Sequence, residues 1–128
     1  MTRMYVLDSG GVSFLARQTT EAAAHLVLIR SAEAPPVVPS AVLIECLTGD
    51  PGRDAATNRL LKTCVIVSAL PQGLARRAAM LRTRARHGSA VDALVVAVAE
   101  PDGAVLTSDG KDIGPLAEHA VDVTVVAV

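Results

Sequence analysis

Four isolated acids interrupt otherwise apolar stretches of this chain. Asp8 closes the run Met4-Tyr5-Val6-Leu7, and Asp109 follows Ala104-Val105-Leu106-Thr107-Ser108. Between them, Glu45 lies in Val42-Leu43-Ile44-Glu45-Cys46-Leu47, and Asp92 in Ala90-Val91-Asp92-Ala93-Leu94-Val95-Val96-Ala97. A carboxylate among apolar residues is costly unless something offsets its desolvation. Two acids at strand ends and two on apolar helices point to one shared site. The usual way to hold four carboxylates together is a hard divalent cation. Without one, their repulsion would raise their pKa values. Magnesium or manganese suits such an oxygen-ligand site with several retained waters.

Each acid is also open to a plainer reading. Asp8 before Ser9-Gly10-Gly11 suits an ordinary turn. Ser89-Ala90-Val91-Asp92 has capping-box spacing, in which Asp92 merely completes a helix terminus. Thr107-Ser108-Asp109-Gly110 makes a good turn on its own. Glu45 is harder to explain away, because no Lys or Arg stands four residues from it. His25, His87 and His119 fall in separate helical or helix-end contexts and read as surface or capping residues.

The elements that must position these acids follow from periodicity and breakers. Residues 4–7 read as a short buried strand, 9–11 as a turn and 12–16 as a short helix. Residues 20–31 read as a helix capped by Thr20. Pro35-Pro36 breaks the chain, residues 37–38 form a minimal strand, and Ser40 caps a helix that runs to Leu47. A helix over 53–63, a strand over 64–67 and a long Ala- and Arg-rich helix over 72–86 come next. Ser89 then caps a helix to Glu100, Pro101-Asp102-Gly103 turns, and 104–107 is a strand. A helix over 113–119 and a strand over 121–128 end the chain. Short apolar strands alternating with helices indicate an α/β fold, a mainly parallel central sheet covered on both faces in three α/β/α layers. Ligand sites in such folds lie beyond the carboxyl ends of the strands, where Asp8 and Asp109 fall.

Composition narrows the function classes. At 128 residues the chain reads as a single domain, residues 1–128, with a substantial core. Aromatic residues are only 2%, which makes the core aliphatic and argues against binding bases on aromatic platforms. The net charge of −1 gives no overall attraction to nucleic acid. A local exception is Arg76, Arg77, Arg82, Arg84 and Arg86, with no acid between Gly73 and Val91. Arg82 and Arg86 share a helix face by spacing, as do Arg77 and Arg84, and either pair could touch phosphate or simply be solvated. Cys46 and Cys64 lack zinc spacing and read as reduced core residues of a cytoplasmic protein. The opening apolar run is too short for a signal peptide, and no stretch reaches membrane-spanning length.

The sequence resembles the PIN-domain ribonucleases, and in size and layout the VapC toxins of bacterial toxin–antitoxin pairs. The matching stretches are Tyr5-Val6-Leu7-Asp8-Ser9, Pro39-Ser40-Ala41-Val42-Leu43-Ile44-Glu45, Asp92-Ala93-Leu94-Val95-Val96-Ala97-Val98-Ala99 and Leu106-Thr107-Ser108-Asp109-Gly110-Lys111-Asp112. They occur in the family's order and span essentially the whole chain. The resemblance implies a PIN-like fold in which Asp8, Glu45, Asp92 and Asp109 are the catalytic acids around Mg2+ or Mn2+, with Asp8, Asp92 and Asp109 as metal ligands. It makes Asp112 an accessory acid and Ser9 the small hydroxyl residue that shapes the site. Gly10 departs from the family, which often carries a polar residue there.

The function implied is a magnesium-dependent endoribonuclease that acts as a toxin, with RNA such as tRNA or rRNA as substrate. A cognate antitoxin protein would be its partner, in a homodimer and a hetero-oligomer, away from any membrane. Arg82 and Arg86 are the candidate RNA contacts. The alternatives are a catalytically silent PIN-fold binding module and a housekeeping RNA-processing nuclease without an antitoxin. A haloacid-dehalogenase-like phosphotransferase needs a second Asp at position 10, where Gly stands, and a dinucleotide-binding domain needs a glycine fingerprint after the first strand that is missing.

Overall fold

The computed structural model describes residues 3–32 and 34–128. The expectation of no signal peptide rests partly on residues 1 and 2, which lie outside the described residues. Among those described, five short strands build one sheet: β1 Tyr5–Leu7, β2 Val37–Pro39, β3 Val65–Val67, β4 Ala104–Thr107 and β5 Thr124–Ala127. They lie in the order β3-β2-β1-β4-β5, every pair parallel. Strand burial follows this order. β4 is buried at every residue, whereas edge strands β3 and β5 expose Val65, Thr124 and Ala127. A central parallel strand is covered on both faces and needs a continuous apolar run, which Ala104-Val105-Leu106 supplies.

Seven helices complete the described fold: α1 Ser9–Ala16, α2 Thr20–Ser31, α3 Leu43–Cys46, α4 Ala55–Leu61, α5 Gln72–Ala85, α6 Ala90–Ala99 and α7 Gly110–Glu118. α1 packs on β1 and β4, with α2, α3 and α4 around it. α6 packs on β1, β2 and β4, flanked by α5 and α7, and α7 also meets β5. These are the two helical layers of an α/β/α sandwich. α6 is apolar nearly all round because the sheet lies beneath it and helices lie beside it. α5 buries only Ala78 and Leu81 and keeps its arginine side outward.

Several helix boundaries differ from those expected. Ser9-Gly10-Gly11 is no turn: α1 begins at Ser9, directly after Asp8, and α7 begins at Gly110, directly after Asp109. Both acids cap the helix that follows, so the helices gain three residues at their starts. The cap of α2 is Thr19, whose hydroxyl accepts from the Ala22 amide, rather than Thr20. Ser40 caps nothing; it opens a 3-10 turn, Ser40–Val42, ahead of α3. α5 ends at Ala85, and Arg86 turns left-handed at φ 52°.

The start of α1 lies tight against the end of β4. A Cβ on Gly11 would stand 2.3 Å from the Leu106 carbonyl oxygen. Gly11→Ala is therefore expected to destabilise the protein by about 1–3 kcal/mol, because backbone on both sides must yield. Gly73, in the first turn of α5, has open space around its missing Cβ. Gly73→Ala should stabilise by about 0.5–1 kcal/mol through reduced backbone entropy. Urea unfolding of both variants checks the pair; equal effects would refute the close approach.

Candidate active site

Asp8 sits where β1 gives way to α1, on extended backbone with its side chain turned back to cap the helix. One carboxylate oxygen accepts from the Gly11 amide at 2.8 Å, and the other accepts from the Thr107 hydroxyl at 2.5 Å. The residue is only 5% exposed. Burial raises its pKa, and the bonds from Thr107 and Gly11 lower it. The charges of Asp92 and Asp109 raise it again, and the net direction is upward.

Asp54 makes an instructive contrast: it is also only 5% exposed, but it lies nearer the surface. Burial again pushes its pKa up, but bonds from the Thr48 amide and hydroxyl and the Gly49 amide outweigh this, and its pKa ends lowered. Asp54 is a carboxylate surrounded by donors, which is a structural clamp. Asp8 has two donors and also feels the charges of Asp92 and Asp109.

Thr107 is the residue that the sequence reading missed. Its hydroxyl donates to Asp8 and accepts from the Asp109 amide at 2.8 Å, so it couples the two acids through one buried oxygen. The register sets this up, with Leu7 opposite Leu106 and thus Asp8 beside Thr107. A hydroxyl at the end of a fully buried strand was the available signal, since a buried polar group needs partners.

Asp109 is exposed and caps α7, accepting from the Asp112 amide at 3.3 Å. The two neighbouring carboxyls act on each other: Asp112 raises the pKa of Asp109, and Asp109, with His87, lowers that of Asp112. His87 is exposed, as expected, but has a defined partner, Asp112, at 2.5 Å. Asp92 does form the capping box: its amide donates to the Ser89 hydroxyl and its carboxylate accepts from the Ser89 amide, both at 3.1 Å. Capping engages one carboxylate oxygen of Asp92, while its charge reaches both Asp8 and Asp109.

Ser9 is the first residue of α1, beside Asp8. A Cβ on Gly10 would fall 2.1 Å from the Ser108 hydroxyl oxygen, so Ser108 fills the space that a side chain at position 10 would take. Glu45 stands apart from the other acids. It is exposed on α3 beside Ile44, itself 82% exposed, so its surroundings are not the apolar ones its neighbours suggested. The charges acting on Asp8 are those of Asp92 and Asp109, whereas Glu45 acts on its neighbour Cys46.

The cationic residues divide by role. Arg77 forms a two-pronged pair with Glu100, at 2.8 and 2.7 Å, and Glu100 also accepts from the Val121 amide. Arg77 thus ties α5 to the ends of α6 and α7 and is not free for phosphate. Arg82 and Arg86 are exposed, but the left-handed turn at Arg86 takes it off the helix face expected to join them. Arg82 Nε instead donates to the Gly88 carbonyl at 3.2 Å. Cys46 and Cys64 are free thiols, half-buried. His25 packs edge-on against Phe14, and His119 ends α7.

Topology explains why Asp8, Asp92 and Asp109 share one edge of the sheet. The chain leaves β1 for the layer of α1 and leaves β4 for the layer of α7, yet β1 and β4 are neighbours. A crevice opens at the carboxyl edge wherever strand order reverses in this way. Asp8 and Asp109 border it from the two strands, and the start of α6 brings Asp92. Three helix N-termini thus converge there, each favouring negative charge. The donors are all carboxylate oxygens, which fits Mg2+ or Mn2+ with much of the coordination left to water. They do not form a closed cage: among the described residues, no three acid, histidine or cysteine side chains stand close enough to grip an ion unaided.

Comparison with protein-family models and with curated proteins finds no match to this chain.

The raised pKa of Asp8 has a measurable consequence. An acid whose folded pKa exceeds its unfolded value costs stability as pH rises from the unfolded pKa, about 3.9, through the folded one. Asp8→Asn removes that cost and keeps an oxygen for the Gly11 amide. In metal-free protein, the stability of Asp8→Asn relative to wild type should improve as pH rises from 3 to 8. Denaturant melts across that range check it; a relative stability that declines with pH would mean the site welcomes the charge.

Proposed function

We propose that this chain is a metal-dependent endoribonuclease of PIN type that acts as the toxin of a toxin–antitoxin pair. The observation that carries the reading is the buried Asp8, whose carboxylate is met by the charges of Asp92 and Asp109 at the switch point of the sheet. A fold that buries one acid against two others gains nothing in stability from the arrangement, and strained charge of this kind is characteristic of functional sites. The resemblance in four ordered stretches supplies the chemistry.

In this reading Asp8, Asp92 and Asp109 hold Mg2+ or Mn2+. When bound, the ion activates water for in-line attack on a phosphodiester and stabilises charge on the phosphate and the leaving oxygen. The protein's own part is positional. Thr107 and the Gly11 amide fix Asp8, the Ser89 cap fixes Asp92, and Asp112 steadies Asp109. Glu45, exposed at the same edge of the sheet, is free to turn toward substrate or metal. Arg82 and Arg86, both exposed, would contact phosphate separately rather than from one helix face. The intact acid set favours this reading over a silent binding module. A housekeeping nuclease would use the same site and differ only in lacking an antitoxin.

For the antitoxin and dimer, the supporting feature is apolar surface. Val27 and Leu28 on α2 are 66% and 59% exposed. Hollows beside α2 are lined by Leu15, Leu26, Ile29, Arg59 and Leu60. This is where an amphipathic segment of an antitoxin would lie. No helix among the described residues is long and apolar enough to cross a membrane.

Purified, partner-free protein is expected to cut structured RNA such as tRNA with Mg2+ or Mn2+ and to stop with EDTA. Cleavage that survives chelation would overturn the metal reading. Asp92→Asn should abolish cutting and the rise in melting temperature on adding Mn2+. Its metal-free stability should stay within about 1 kcal/mol of wild type, because Asn keeps the cap and loses only the charge near the helix start. Normal cutting by this variant would reduce Asp92 to a cap.

The arginines call for a binding measurement. Arg82→Ala with Arg86→Ala should weaken RNA affinity and lower the salt slope by about 1–2, since each phosphate no longer neutralised reduces the slope by about one. The single-turnover rate at saturating RNA should hold in Arg86→Ala alone, because Arg82 also holds the Gly88 carbonyl of the loop before α6. A fall in that rate with unchanged affinity would make Arg86 part of the chemistry.

A further inference from the structure

His87 holds no metal itself, yet among the described residues it is the histidine that touches the acid network. Its loop joins α5 to α6 and is held at every residue. Arg86 is left-handed at φ 52° and Gly88 at φ 89°, a conformation that glycine tolerates and arginine adopts only when its surroundings enforce it. Arg82 Nε holds the Gly88 carbonyl at 3.2 Å. A Cβ on Gly88 would stand 2.7 Å from a Leu116 methyl, so the loop lies directly on α7. Between these fixed points, His87 Nε2 meets Asp112 Oδ1 at 2.5 Å. Ser89, at the end of the loop, caps α6 through Asp92.

One short loop therefore grips two helix starts. Ser89 fixes the acid on α6, and His87 fixes Asp112 in the first turn of α7, whose backbone amide donates to the Asp109 carboxylate at 3.3 Å. Asp92 and Asp109 come from different helices, and no direct bond between their side chains ties them. The loop makes that connection.

We propose that His87 is a positioning residue: by holding Asp112 it fixes the Asp109 carboxyl relative to Asp92, and so sets the geometry in which the divalent cation is taken up. This rests on the metal-dependent reading. Asp112, as a carboxylate, only accepts, so His87 must donate from Nε2. A glutamine at this position offers an amide N–H at similar reach, and an alanine offers none. Outer partners of this kind typically change metal affinity about 10–100-fold when removed.

The test is Mn2+ binding to chelator-stripped, partner-free protein, read by electron paramagnetic resonance of free Mn2+, beside thermal melts without metal. His87→Ala should weaken Mn2+ binding about tenfold or more with little change in the metal-free melting temperature. His87→Gln should restore most of the affinity. Combining His87→Ala with Asp112→Asn should add little to either alone, because both break the same link. Mn2+ affinity unchanged in His87→Ala overturns the proposal and leaves the nuclease reading intact. Weaker binding that tracks a lowered melting temperature, without rescue by glutamine, also overturns it and makes His87 a structural staple. Wild-type protein that binds no Mn2+ at millimolar concentration removes the metal reading and this inference together.

Discussion

The carboxylate of Asp8 is the constraint around which the rest of the site is arranged. It is buried at the end of a central strand, and it has two donors. Supplying them dictates much of the neighbouring sequence. The Gly11 amide reaches Asp8 only because α1 starts at once, and α1 can start there only because residues 10 and 11 have no side chains to strike Ser108 and Leu106. The hydroxyl donor requires Thr rather than Val at the end of β4, although Val would suit the strand equally well. The same hydroxyl then receives the Asp109 amide, so satisfying Asp8 also places the next acid.

What those donors do not do is cancel the charge. Asp54 shows what full compensation looks like in this same molecule, since its donors turn the effect of burial around. At Asp8 the neighbouring acids add to the burial penalty instead. The helix starts carrying Asp8, Asp92 and Asp109 offset part of this through their dipoles, a contribution of about 0.3–1 kcal/mol each. A divalent cation bound there, as proposed, would favour the ionised carboxylates and so stabilise the carboxyl edge of the sheet.

Elsewhere the fold avoids such a penalty. Glu100 is paired by Arg77 and the Val121 amide, a clamp that fastens α5 across the ends of α6 and α7. No buried side-chain polar atom among the described residues lacks a partner. The repulsion of Asp92 and Asp109 on Asp8 lies at the carboxyl ends of β1 and β4, while the α5–α6 loop, with its two left-handed residues, is held against α7.

The sequence by itself determined the layers and most of the elements. Runs such as Tyr5-Val6-Leu7 and Ala104-Val105-Leu106 have no polar face and read as buried parallel strands, and the apolar circumference of residues 90–99 reads as a helix covered on several sides. The Ser89–Asp92 cap was legible because it depends on three residues of spacing alone. Helix starts at Ser9 and Gly110 were not, because glycine and serine after an acid suit a turn equally well, and only the close packing of α1 on β4 selects the helix. Apolar neighbours in sequence suggested a buried Glu45, but α3 is short and turns that residue and Ile44 outward. Strand order, the shared edge of Asp8, Asp92 and Asp109, the double bond-making of Thr107 and the reach of His87 to Asp112 join residues far apart in the chain. Local spacing carries no information about such pairs; they exist only once β1 and β4 lie side by side and α6 and α7 pack together.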